Sequence, residues 1–149
     1  MRAVVQRVRD CSVRAEGRLT GRIAAGLLVY LAVWQGDEER DLAYLADKVA
    51  NLRIFPDADG RMNLSATDLK AELLVVSQFT LFGDARDGRR PSYTQAADPQ
   101  KARDFYLRFL AMLREKGFAV EAGEFAASME VAYTNVGPVT ILLDSRKLF

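Results

Sequence analysis

Four consecutive residues, Ser77-Gln78-Phe79-Thr80, set two hydroxyls, an amide and an aromatic ring at the end of an apolar run. Hydroxyls at a strand end suit acyl chemistry, as nucleophiles or as orienting groups, while backbone N–H groups there can face a developing oxyanion. The usual activating partner is missing, because the chain contains no histidine. That excludes a Ser-His-Asp triad, a Cys-His pair and a histidine-bound metal. The single cysteine, Cys11, can form neither an intrachain disulfide nor a CxxC zinc site, and it reads as a small buried residue. No spacing of carboxylates marks a metal site, so neither a metal nor a cofactor is expected. A second cluster, Arg86, Arg89 and Arg90, lies in the polar stretch 83–95. Guanidinium groups there suit phosphate, although a charge cluster alone is more often a solvated surface. A third segment, Asn135-Val136-Gly137-Pro138-Val139-Thr140, lies between two apolar runs and by itself would be a turn.

These residues must be held by a scaffold that 149 residues can supply as one domain, 1–149. Half the residues are hydrophobic and the net charge is +1, which fits a globular chain and selects no partner class. No apolar run reaches the ~20 residues that span a bilayer. The N-terminus carries no signal-like stretch, and a cytoplasmic protein without membrane contact is expected. Residues 2–8 read as a strand, with 11–15 its continuation or neighbour, and Gly17 and Gly21 punctuate a hairpin. Residues 27–34 read as a buried strand. Asp37 opens a helix through Leu42, Leu45, Ala46 and Val49. Residues 56–60 make a turn, and Glu72 to Val76 a short strand into Ser77. Asp98 caps a second helix with Pro99 at its first position, and Gly117 ends it. Its apolar face carries Ala102, Phe105, Tyr106, Phe109, Leu110 and Leu113. Strands follow near 118–121, 128–134 and 139–144. The expected class is α+β: a mixed, mostly antiparallel sheet or barrel, with two long amphipathic helices packed outside it.

Val5-Gln6-Arg7-Val8, NLRIF at 51–55, MNLS at 62–65, VVSQFTL at 75–81 and GPVT at 137–140 occur together in this order. In that combination the chain resembles the D-aminoacyl-tRNA deacylase family over its whole length. The resemblance implies a homodimer with two composite active sites, in which Ser77, Gln78, Phe79 and Thr80 form the catalytic pocket. It implies that Gly137-Pro138 is a cis peptide reaching the partner's pocket, that Arg7 fixes this dipeptide, and that Met129 lies at a pocket position. The chain departs from the family at Val136, where an acidic residue is common. The implied reaction is hydrolysis of the ester joining a D-amino acid to the acceptor end of tRNA, with L-esters rejected and glycyl-tRNA partly accepted. Arg86, Arg89 and Arg90 would contact the tRNA. The absence of histidine argues against an acyl-enzyme on Thr80 and favours assistance by the 2′-hydroxyl of the terminal ribose, which can donate and accept. A conventional serine or threonine ester hydrolase and a non-catalytic RNA-binding module are the competing readings.

Overall fold

Alternating apolar residues in the first 32 positions build one long hairpin. A computed structural model describes Met1–Phe149, and in it β1 (Arg2–Ala15) and β2 (Arg18–Ala32) pair antiparallel from Arg2↔Ala32 to Ala15↔Arg18. Residues 2–8 and 11–15 are therefore one strand, irregular where Asp10 takes a positive φ of 51°. Glu16 and Gly17, both at positive φ, make the tight turn. Gly21 lies inside β2 and does not belong to the turn.

The chain then forms α1 (Glu39–Asn51), the small hairpin β3 (Phe55–Pro56) and β4 (Met62–Leu64), and a short helix, α2 (Ala66–Leu69). It returns as β5 (Glu72–Ser77), crosses α3 (Pro99–Glu115), and ends in β6 (Val120–Ala122) and β7 (Met129–Asp144). The main sheet has the order β6-β5-β2-β1-β7. β1 pairs antiparallel with β2 and β7, while β5 runs parallel to both β2 and β6. The strands expected at 128–134 and 139–144 are thus one strand. The sheet remains open, with β6 and β7 at its edges.

Both long helices pack on one face of the sheet. Leu42, Leu45, Ala46 and Val49 of α1 and Phe105, Tyr106, Phe109, Leu110 and Leu113 of α3 meet Val5, Leu27, Val29, Leu31, Leu73 and Val75 in the main core. Burying each such large side chain contributes roughly 1.5–3 kcal/mol. α3 starts as its sequence indicates: Asp98 accepts from the N–H groups of Gln100 and Lys101, both at 3.0 Å, with Pro99 first in the helix. α1 starts later than expected, with Glu38 as its cap. Asp37 is buried instead, accepting from the Met1 amino group at 2.5 Å and the Trp34 N–H at 2.6 Å. A buried carboxylate needs such partners, and here they outweigh a place in the helix. The opposite face of the sheet holds a smaller core of Val8, Cys11, Val13, Ile23, Leu28, Leu74 and Val76. The sheet curls to close it. At Gly21, a Cβ would stand 2.9 Å from the Ala122 carbonyl oxygen and 3.0 Å from Leu74 Cδ1, so only glycine permits β2 to lie so close to β6.

Candidate active site

β5 is the strand that delivers the chemistry. Leu73 to Val76 are fully buried, and the run ends at Ser77, which still pairs with Leu31 of β2. The Gln78 N–H holds the chain to the Leu31 carbonyl at 2.8 Å, and Phe79–Phe82 then turn as a single 3-10 turn. Leu81 and Gly83 N–H groups close that turn onto Gln78 and Thr80 carbonyls at 3.2 and 2.9 Å. The first N–H groups of any helical turn have no partner within it. Here these are Phe79 and Thr80, and no other backbone or side-chain group accepts from them. The Gln78 Nε2 donates to Thr80 Oγ1, which fixes the hydroxyl beside the two N–H groups.

A cavity of about 460 Å³ opens beside this strand end. Its walls combine Leu31–Val33 from the end of β2, Ser77, Gln78 and Phe79, and Ala96, Ala97, Pro99 and Ala102 around the start of α3. Two aromatic pairs flank it. Phe79 meets Tyr93 edge-on, with ring centroids 5.2 Å apart, and Tyr106 meets Phe125 at 5.9 Å. The Tyr106 hydroxyl faces the Val75 carbonyl at 2.9 Å and the Gly123 carbonyl at 3.2 Å, tying the end of β5 to the β6–β7 connection. Burial pushes its pKa well above the ordinary tyrosine value. No carboxylate, lysine or histidine lines the cavity. Thr80 lies just outside that lining, and its hydroxyl has Gln78 as its side-chain partner.

The remaining residues singled out in the sequence lie in three other places. Gly137 and Pro138 are exposed on a loop-out of β7 and do not line the cavity of their own chain. β1 pairs Gln6 with Thr140 and Val8 with Asn135, so residues 136–139 stand opposite Arg7 alone; Gly137 and Pro138 are pushed outward, and Val139 returns to the main core. Arg7, lying between those two pairs, holds the bulge. Its Nε donates to the Val136 carbonyl at 3.3 Å and its Nη1 to the Ile54 carbonyl at 2.7 Å. The Asn135 amide donates to the Arg7 and Val139 carbonyls at 3.1 and 3.0 Å. Gly137 has a φ of 118°, and a Cβ there would stand 2.8 Å from Val139 Cγ2 and 2.9 Å from Arg7 Nη2. The Gly137–Pro138 peptide is cis. Arg7 uses only the backbone of Val136, so that residue's departure from the common acidic one leaves the clamp intact.

Met129 opens β7 and packs on the smaller core, its Sδ 2.7 Å from where a Gly123 Cβ would be. The arginine loop is pinned at its base by the Asp84 and Ser92 backbones, which exchange two hydrogen bonds of 2.8 Å. Within it Arg86 is already paired: its Nε donates to Asp84 Oδ1 at 2.9 Å, which holds the Asp84 carboxyl down at about 2. Arg89 and Arg90 are exposed and join no ion pair. The aromatic residues Tyr93 and Phe125 escape a reading of the sequence. Each sits in a loop far along the chain from Ser77, and no spacing connects them.

A family model described as D-Tyr-tRNA(Tyr) deacylase matches residues 4–144. The chain belongs to the D-Tyr-tRNA(Tyr) deacylase family. Membership makes it an enzyme of the ester-hydrolysing, deacylase kind. Among relatives named D-aminoacyl-tRNA deacylase, that of Thermotoga petrophila is 58% identical over 149 residues and that of Halothermothrix orenii 55%, each with both chains fully covered. Among solved structures, one described as c-Myc DNA Unwinding Element Binding Protein superposes with a TM-score of 0.91 at 37% identity, covering 97% of this chain and 98% of the other. A probable eukaryotic D-amino acid tRNA deacylase shares the fold, with a TM-score of 0.82 at 17% identity over 95% of this chain and 97% of that one. The α+β class with a mixed sheet and external helices agrees with these deacylase folds. No helix is long and apolar enough to cross a membrane.

Proposed function

We propose that this chain hydrolyses the ester of D-aminoacyl-tRNA in the cytoplasm and spares the L-ester, as a quality-control step in translation. One observation carries the chemistry: Ser77, Gln78 and Phe79 line an aromatic-walled cavity that offers no protein base, and the N–H groups of Phe79 and of the next residue, Thr80, are unpartnered. The cavity, of about 460 Å³ and walled by two aromatic pairs, suits the terminal nucleoside, with the ester carbonyl turned to the two N–H groups. An aminoacyl ester is already activated, so positioning and oxyanion stabilisation carry most of the barrier reduction. Water adds to the carbonyl carbon, the bond to the ribose oxygen breaks, and the leaving oxygen takes a proton. The vicinal 2′-hydroxyl relays that proton, and Gln78 and Thr80 orient the groups.

The chiral filter belongs to Gly137-Pro138. A side-chain pocket cannot accept many amino acids and reject one hand, but a backbone wall against the α-carbon can. The bulge is exposed, held by Arg7 and turned away from its own cavity, which supports a homodimer in which it enters the partner's site. β7, an edge strand of 16 residues with Leu142 57% exposed, supports the same reading. Met129, packed with Val76 on the smaller core, supports the pocket from beneath the end of β5. Glycine has no side chain to place on the wrong side, so glycyl-tRNA escapes the filter in part. Arg89 and Arg90, with Arg86, meet the phosphates of the acceptor end.

The test follows ester loss from D-tyrosyl-, L-tyrosyl- and glycyl-tRNA. Fast loss of the D-ester, partial loss of the glycyl ester and a spared L-ester are expected. If no ester is lost faster than in buffer, the deacylase reading falls. A D-ester on a 2′-deoxy terminal nucleoside should react about 10²-fold slower or more, and hydrolysis at the full rate removes the hydroxyl from the mechanism.

A further inference from the structure

We propose that Arg103 of α3 is a phosphate-binding residue, which with Arg89 and Arg90 grips the acceptor strand from two sides of the cavity mouth. The inference rests on the deacylase reading and adds to it a contact that neither the motifs nor the arginine loop contains.

Position comes first. Residues three and four apart are neighbours on a helix surface. Arg103 is therefore bordered by Pro99, four residues before it, and Tyr106, three after it, and both line the cavity. Arg114, three turns on and on nearly the same stripe, reaches the Val120 carbonyl of β6 at 3.1 Å. That stripe thus faces the β6–β7 connection, whose Phe125–Ala127 form the cavity rim. The arginine loop leads instead into Tyr93, on the Phe79 side of the cavity.

Availability comes second. Three of the four basic side chains of α3 are engaged. Lys101 donates to the Gln35 carbonyl at 2.7 Å, Arg108 pairs with Glu39 and Asp104, and Arg114 holds Val120. Arg103 is exposed and has no hydrogen-bonding or ionic partner. Asp104, next to it in the chain, is taken by Arg108, and Glu124 of the β6–β7 connection by Arg18 at 2.7 Å. A free guanidinium beside a nucleoside-sized apolar cavity has the chemistry for the phosphates that precede the terminal nucleoside.

The experiment compares two substrates, D-tyrosyl-tRNA and a D-tyrosyl ester of adenosine, which carries no phosphate. Rates are measured for the unaltered chain, Arg103→Ala, Arg103→Lys and Arg89→Ala/Arg90→Ala. For Arg103→Ala, the ratio of kcat/KM on tRNA to kcat/KM on the adenosine ester should fall about tenfold, mainly through KM. The salt dependence of KM should flatten by about 0.7 in log–log slope per lost phosphate contact. Arg103→Lys should recover part of the loss, and the arginine-loop variant should lose the same ratio independently. An unchanged ratio, an unchanged slope, or equal loss on both substrates overturns the assignment of Arg103. Failure of the unaltered chain on both substrates overturns the deacylase reading instead.

Discussion

The end of β5 and the loop-out of β7 are built in opposite ways. Ser77 and Gln78 continue a buried strand and are bonded on to β2, and with Phe79 they line a cavity completed by their own chain. Gly137 and Pro138 interrupt an edge strand, are exposed, and are held chiefly by one arginine and one asparagine side chain. The N–H groups of Phe79 and Thr80 follow β5 at once, so its pairing sets their direction although both residues are exposed. A segment meant to meet something outside its chain has to leave the ladder, and a clamp replaces the lost strand pairing.

The largest expected effect comes from Gly137→Ala. The new methyl meets Val139 and Arg7 at under 3 Å, at a φ of 118° that L-residues rarely adopt, so the bulge must shift. Misplacement of a positioning group costs about 10²-fold. The loss should appear in kcat/KM on D-tyrosyl-tRNA or in discrimination against the L-ester, with the melting temperature changed little. A variant that melts much lower but keeps its discrimination would make the bulge merely structural.

A moderate effect is expected on the other side of the comparison. In Tyr106→Phe, the Val75 carbonyl keeps the Gly123 N–H at 2.9 Å, but the Gly123 carbonyl loses its hydroxyl. The cost should be about 1–1.5 kcal/mol, read from denaturant unfolding, with a raised KM as the cavity wall loosens. Unchanged stability and KM would remove Tyr106 from the cavity's support.

The smallest effect concerns Cys11, which burial pushes up to about 11. At pH 8 the folded thiol should react with iodoacetamide far more slowly than the unfolded chain, because it is both covered and protonated. Rapid labelling of the folded form would show that the smaller core opens readily.

Much of the first region is legible in the sequence, because local rules agree there. The apolar run ending at Val76, the Asp98-Pro99 helix start and the 3.6-residue spacing of Phe105, Phe109 and Leu113 each determine their own element. The second region is legible only in part. The strand pattern breaks at Gly137-Pro138, yet β7 continues past it, because tertiary pairing with β1 absorbs three extra residues. Asp37 looks like a helix opener but is taken by long-range partners. The cavity is least legible of all, since Tyr93, Tyr106 and Phe125 meet only once α3 crosses over β5.

The curl at Gly21 has a consequence for how copies of the chain can add to one another. It brings β2 close to the end of β6, a strand of three residues whose Val120 carbonyl Arg114 already occupies. One sheet edge is thereby capped, and β7 remains the bare one. In polymer terms the molecule is monofunctional. In the homodimer proposed above, joining through that edge would use up the bare strand of both copies and leave no end for a fibre to grow from.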